Sequence, residues 1–187
     1  MTQKLEIKDM DPDPYKQFDK WFREAVEGGV NEPESMVLAT SSSDGQPSAR
    51  MVLLKDCDQC GFVFFTNYES RKALEMGENP HAALLFYWPE LSRQVRIVGQ
   101  IQKTSREESE RYFNSRLFEN REVLDQRISE QEKQSGKSRE VPLPTHWGGY
   151  RVCPVAIEFW QKGPHRLHDR FLYSRGEGGW MVERLAP

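Results

Sequence analysis

The feature that most limits what this chain can fold into is the texture that begins at Ser35. Short runs rich in Val, Leu, Phe and Thr alternate with polar turns, without the regular interposed helices that successive parallel strands require. The runs at 35–40, 47–55, 62–67, 81–88, 93–103, 149–152, 156–161, 170–174 and 180–184 read as strands. Ser43-Asp44-Gly45-Gln46, the stretch 56–61 and Gly176-Glu177-Gly178-Gly179 read as turns between them. Helical signals are few. Asp13 can cap and Pro14 suits a first helical position. Tyr15, Phe18, Trp21, Phe22 and Val26 then recur at helical spacing until Gly28 and Gly29 stop them. A short helix is expected at 70–77. Ser105 and Glu108 form a capping-box pattern opening a helix to about residue 115. The highly charged stretch 119–134 has only Val123, Leu124 and Ile128 as an apolar ridge, and 136–144 reads as a linker. These signals predict a mainly β fold with flanking helices: a closed or half-closed antiparallel barrel forming a single domain over 1–187. A flexible N-terminal tail is expected at 1–12 and a helical or linker excursion at 117–144.

Composition removes several function classes. The 187 residues carry 26 basic and 29 acidic side chains, a net charge of −3, so no global positive field would hold a nucleic-acid backbone. The mean hydropathy of −0.77 and the strand-length limit of the most apolar run, 82–88, argue against a membrane span. The first residues lack the apolar centre of a secretory signal, so a cytoplasmic location is expected.

No GxGxxG after a strand, no GxxxxGK[ST] and no GxSxG is present, which withdraws support from dinucleotide-binding, P-loop and α/β-hydrolase readings. Cys57 and Cys60 form a CxxC pair. Without a second pair to complete a metal site, this reads as turn sequence, and the odd total of three cysteines argues against a disulfide framework. His165 and His168 form an HxxH without an accompanying glutamate, so no metal is expected.

What remains is an uneven placement of cations. Arg50 and Lys55 bracket Met51-Val52-Leu53-Leu54, and Arg71 and Lys72 stand at a helix start. Arg93 and Arg96 flank Gln94-Val95, while Arg166 and Arg170 flank Leu167-His168-Asp169. Each alone reads as a surface ion pair or a long side chain lying along the surface. Together they suggest one or two bound phosphate groups, with backbone donors added at Arg71 and Lys72. Phe62, Phe64, Phe65, Phe86, Tyr87 and Trp88 read as barrel core and rim. Strand alternation puts Phe159 and Trp160 on opposite faces, which leaves Trp160 as a candidate contact for a flat heterocycle.

At this point an ordered set of strings becomes informative: 48–55 (SARMVLLK), Phe64-Phe65-Thr66-Asn67 through Ser70-Arg71-Lys72, Arg93-Gln94-Val95, Tyr112-Phe113 with Ser115-Arg116, Trp147-Gly148-Gly149-Tyr150, Glu158-Phe159-Trp160-Gln161, Arg166-Leu167-His168-Asp169-Arg170 and the terminal Glu183-Arg184-Leu185-Ala186-Pro187. In this order the set resembles the pyridoxine (pyridoxamine) 5′-phosphate oxidase family. The resemblance implies a homodimeric FMN-binding split β-barrel that oxidises pyridoxine or pyridoxamine 5′-phosphate to pyridoxal 5′-phosphate, with dioxygen as acceptor and hydrogen peroxide as product. It implies FMN contacts from Arg50, Met51, Val52, Leu53, Leu54, Lys55, Phe65, Thr66, Arg71, Lys72, Gln94, Trp160 and Arg170, shared between two subunits. It implies a substrate phosphate held by Lys55, Tyr112 and Arg116. Arg166, Leu167 and His168 would lie at the pyridine ring, with Arg166 and His168 as catalytic residues, and His168 would serve either as a base or as a hydrogen-bonding group.

The chain departs from the family after Ser115-Arg116. There the family continues through a Pro-Arg-x-Ser-Gln segment and a Gln-Ser pair, and this chain has Leu117-Phe118-Glu119-Asn120. The family's basic, tyrosine-bearing N-terminal segment also has little counterpart before Asp11. Two alternatives therefore stand beside the oxidase: a barrel that binds FMN or pyridoxal 5′-phosphate with weak or no turnover, and a different flavin-dependent oxidoreductase on the same barrel.

Overall fold

The computed structural model describes residues 4–119 and 142–187. The expected charged helix and most of the linker lie outside them. In chain order the elements are α1 (Pro14–Glu27), β1 (Ser35–Ser41), β2 (Pro47–Leu53), β3 (Asp56–Asp58), β4 (Gly61–Asn67), α2 (Arg71–Glu78), β5 (His81–Trp88), β6 (Arg93–Lys103), α3 (Arg106–Glu119), β7 (Trp147–Gln161), β8 (Asp169–Gly176) and β9 (Gly179–Arg184). Short 3-10 turns precede α1 and β8.

All strand pairings are antiparallel, in the order β2-β1-β5-β6-β7-β4-β3. β7 organises the barrel. One of its edges pairs with β6 along nearly its whole length. The other pairs first with β4, through Trp147 to Val152, and then with β8, through Ala156 to Gln161. The Lys55 amide donates to the Val63 carbonyl at 2.8 Å, which brings the chain leaving β2 back to β4. The antiparallel, mainly β split-barrel expectation describes this architecture.

Helix α1 fills the barrel mouth because its residues at helical spacing are apolar. Phe18 packs edge-on against Phe62 and Trp21 edge-on against Phe159, with ring centroids 4.9 and 5.2 Å apart. Asp13 accepts from the Tyr15 amide, and Gly29, at φ 72°, allows the chain to turn out of the helix. Burial of each such large side chain contributes roughly 1.5–3 kcal/mol.

Three expectations need correction. The strands expected at 149–152 and 156–161 are one strand. Pro154 cannot donate to a ladder, and the register shift opposite Val98 and Gly99 absorbs it as a bulge. Gly99 permits that bulge, since a Cβ there would sit 2.2 Å from the Cys153 carbonyl oxygen. The stretch 56–61 is not all turn: Asp56–Asp58 pairs with β4, and the Asp58 carboxylate accepts from the Cys60 and Gly61 amides to close the corner. The described part of the expected tail is tied down. The Leu5 amide donates to Asp169, Arg184 donates to the Leu5 carbonyl, Tyr173 donates to the Asp11 carbonyl, and Met10 is buried. No described helix is long and apolar enough to cross a membrane.

Candidate active site

A cavity of about 260 Å³ opens between β2, β4, α2 and α3, lined by Met51, Val52, Leu53, Lys55, Phe65, Thr66, Lys72 and Tyr112. All eight belong to the set expected to meet cofactor or substrate. Their convergence follows from topology, because the closure of β2 onto β4 lays two strands side by side and α2 follows directly from the end of β4. Met51 and Leu53 are exposed, an unusual state for large apolar side chains. The aromatic edge is built by stacking: Phe65 lies 4.0 Å from Tyr112 and 5.3 Å from Trp147, with ring planes within 16° of parallel in both pairs. Helix α3 is docked beneath this edge. Ser105 accepts from the Glu108 amide, and the Ser109 hydroxyl, buried, meets Thr104 and accepts from the Gly149 amide. A side chain at Gly149 would collide with Thr104 and with the Phe65 ring.

The basic end of the cavity is organised by an acid. Glu75, buried on α2, accepts from the hydroxyls of Thr40 and Ser48 at 2.5 Å, from Arg50 at 3.2 Å and from Arg71 at 2.9 Å. The two hydroxyls and then the two guanidinium groups hold its carboxyl down at about 2. Burial lowers the Lys72 pKa, and the nearby Arg50 charge adds to that shift. Lys72 has no ion pair among the described residues; its ammonium meets only the Ser70 hydroxyl, at 3.2 Å. Arg71 keeps most of its side chain in solvent.

A second group of expected residues stands apart from this cavity. Gln94 on β6, Trp160 on β7 and Arg170 on β8 are direct cross-strand partners, so their side chains share one face of the sheet, and Tyr87 on β5 continues the row. Arg170 is held by Glu158 at 2.8 Å and by the Ala186 carbonyl at 3.0 Å. Trp160 lies 4.8 Å from the His168 ring. The turn carrying Arg166, Leu167 and His168 is backbone-strained, with His165 and Arg166 both at positive φ. The Gly163 amide donates to His168 Nδ1 at 3.3 Å, and the Leu167 amide to the Pro164 carbonyl. Leu167 and Arg166 point into solvent. None of this second group lines the cavity.

Some expectations are redirected. Leu54 turns its side chain into the core rather than the cavity. Arg50 spends its fork on Thr40, Ser48 and Glu75. Arg93 is structural: it pairs with Glu24 and Gln161 and lies over the Trp21 ring. Arg96 pairs with the buried Glu158. The side chain of Arg116 lies outside the described residues. Burial, reinforced by Asp58 and Asp56, pushes the Cys57 thiol up to about 12, which suits an inert side chain. Among the described residues no group of three or more His, Cys, Asp or Glu could hold a metal ion. Sequence reasoning missed Glu75 and Glu158, both buried carboxylates serving two arginines. The four-residue spacing of Arg71 and Glu75 was the one available signal.

Comparison with known proteins bears on this arrangement. The family model described as pyridoxamine 5′-phosphate oxidase matches residues 22–142, and the model described as the pyridoxine 5′-phosphate oxidase C-terminal dimerisation region matches 147–187. The cavity and Gln94 lie in the first match, and Trp160, His168 and Arg170 in the second. A pyridoxine/pyridoxamine 5′-phosphate oxidase of Paraburkholderia phymatum is 52% identical over 199 aligned positions, covering 98% of this chain and 93% of that protein. That alignment is longer than this chain, so the relative carries residues with no counterpart here. Among solved structures, PhzG from Burkholderia lata 383, in complex with tetrahydrophenazine-1-carboxylic acid, superposes with a TM-score of 0.84 at 29% identity, covering 100% of this chain and 98% of that one. A pyridoxamine 5′-phosphate oxidase-related, FMN binding protein from Nostoc punctiforme shares the fold, with a TM-score of 0.66 at 19% identity, covering 94% and 98%. With both family models matching consecutive stretches and half of all aligned positions shared with a curated relative, the chain belongs to the pyridoxine/pyridoxamine 5′-phosphate oxidase family.

Proposed function

We propose that this protein is a homodimeric, FMN-dependent oxidase that converts pyridoxine 5′-phosphate and pyridoxamine 5′-phosphate to pyridoxal 5′-phosphate. Each FMN would lie between the cavity of one protomer and the Gln94, Trp160 and Arg170 row of the other. The observation that carries this reading is the separation of the two groups on one chain. The cavity supplies an apolar wall and cations, while the row supplies a ring, an amide and a guanidinium, and neither makes a complete pocket alone. Association about a two-fold axis would set each cavity against a row and repeat the arrangement twice. The exposed Met51, Leu53 and Tyr87 are the kind of apolar surface such an association covers.

The residues present suit FMN. Met51, Val52, Leu53 and Phe65 offer an apolar wall for a flat ring; Arg50 and Arg71 share a single carboxylate and Lys72 has no ion pair among the described residues, which leaves positive charge for a phosphate. When bound, FMN supplies the two-electron acceptor for oxidation of the substrate's exocyclic carbon and passes the electrons to dioxygen, releasing hydrogen peroxide.

The protein's share is binding and orientation. Lys55 and Tyr112, with Arg116, would hold the substrate phosphate, using it as a handle that fixes the distant reacting carbon. Arg166 would lie over the pyridine ring, reaching it from an exposed turn in which His165 and Arg166 both have positive φ. His168 accepts the Gly163 amide at Nδ1, and a neutral ring in that arrangement would carry its proton on Nε2 and would offer the substrate a donor there.

The test is direct. Purified protein should be yellow, with a flavin absorption spectrum, and should release hydrogen peroxide in air when given pyridoxine 5′-phosphate. Yellow protein without peroxide would favour a binding module, and colourless protein that FMN does not reconstitute would overturn the cofactor assignment.

A further inference from the structure

We infer that Glu75 is a positioning residue for the phosphate end of the flavin site, and that it sets both the geometry and the net charge with which Arg50, Arg71 and Lys72 meet a phosphate dianion. The inference rests on the FMN reading above and assigns a role to a residue outside the expected site.

The geometry is a closed relay. Arg50 donates from one guanidinium nitrogen to the Thr40 hydroxyl and from the other to the Ser48 hydroxyl, and each hydroxyl donates onward to Glu75 Oε2. A hydroxyl has one proton, so its direction is settled once the guanidinium takes the lone-pair side. Arg50 also reaches Oε2 directly, while Arg71 uses Oε1. One carboxylate therefore ties β1, β2 and the first turns of α2 together and leaves Arg50 little rotational freedom. The side chain of Glu75 is only 7% exposed, so water cannot substitute for these partners.

The charge argument is independent of that geometry. Three cations against one carboxylate leave an excess of two positive charges, and a phosphate monoester carries about −1.5 to −2 near neutrality. Burial disfavours the charged form of Lys72, as expected where cations are crowded and await an anion. Without Glu75 the same three cations would repel one another and splay apart.

The test compares two flavins on stripped full-length protein, FMN and riboflavin, which share a ring and differ in the phosphate. Fluorescence quenching gives both dissociation constants. Glu75→Ala should weaken FMN by at least about tenfold while leaving riboflavin unchanged, because lost charge-assisted hydrogen bonds act only at the phosphate end. Glu75→Gln keeps an oxygen for Thr40, Ser48 and Arg50 but loses the negative charge and the acceptor for Arg71, so its FMN affinity should fall between those of wild type and Glu75→Ala, with riboflavin unchanged. A merely structural role would lower both flavins together, and a wild-type FMN to riboflavin ratio in Glu75→Ala would overturn the inference alone. If Glu75→Ala does not fold, Ser48→Ala breaks one arm of the relay and should weaken FMN about three- to tenfold with riboflavin unchanged; no change would overturn the inference. Wild-type protein that binds neither flavin would overturn the cofactor reading, and this inference with it.

Discussion

Phe65 on β4 and Tyr112 on α3 stack face to face with centroids 4.0 Å apart, so the barrel wall fixes a ring that belongs to a helix. The stack holds Tyr112 in the wall of the cavity that Lys55 also lines. Tyr112→Phe preserves the rings and removes one hydrogen bond. The expected result is a KM for the phosphorylated substrate raised about two- to tenfold with kcat and FMN content near wild type. Steady-state kinetics checks this; a fall in kcat alone would place the hydroxyl at the reacting end instead.

Arg166 stands in a turn held by its own backbone hydrogen bonds and touches neither the core nor the cavity. Arg166→Leu should therefore leave flavin content and thermal stability unchanged within about 0.5 kcal/mol, as surface substitutions generally do. Turnover should fall by at least about tenfold, because orientation over the substrate ring is lost. Flavin absorbance per protomer, measured beside turnover, separates the two effects, and equal loss of both would make Arg166 structural.

The three cysteines differ in reach. Cys60 is exposed, while burial raises the pKa of Cys57 to about 12 and also raises that of Cys153. At pH 8 a chromogenic disulfide reagent should modify Cys60 rapidly and Cys57 only after unfolding, since the thiolate is the attacking species. Equal rates at Cys57 and Cys60, read by peptide mass mapping, would restore a redox reading of the CxxC pair.

Glu75 is held near 2, chiefly by hydrogen bonds from Ser48 and Thr40, whereas an ordinary glutamate titrates near 4.5. Between those values the unfolded chain takes up a proton that the folded protein refuses. The stabilisation is therefore fully present above about pH 4.5 and drains away as pH falls toward 2. Urea midpoints of wild type and Glu75→Gln should differ most at neutral pH and converge on acidification. A constant difference from pH 6 to pH 3 would mean that the carboxylate's charge does not carry the effect.

Much of this fold was legible in the sequence because its strands alternate cleanly and its turns carry Gly, Asp and Ser. β3 escaped because Asp56-Cys57-Asp58 has turn composition, and only its pairing with β4 makes it a strand. β7 looked divided because Pro154 is a poor ladder residue, and the accommodating bulge depends on Gly99, more than fifty residues away. The eight cavity residues were visible through family strings; cation spacing alone singled out Lys55 and Lys72 but also Arg93 and Arg96, which the structure spends on Glu24 and Glu158. Glu75 and Glu158 were invisible for a general reason. In sequence a buried acid looks the same as a solvated one, and its meaning comes from partners on other elements.

The measurement that bears most directly on a composite site is complementation between two inactive variants. Lys72→Ala damages the cavity and Trp160→Ala damages the row, so each homodimer should be nearly inactive. If every site joins the cavity of one protomer to the row of the other, co-refolding the two in equal amounts makes half the dimers mixed, each with one intact site. About a quarter of wild-type activity should then return. A mixture as inactive as its components, with mixed dimers demonstrated by native mass spectrometry, would mean that both halves of each site come from the same chain.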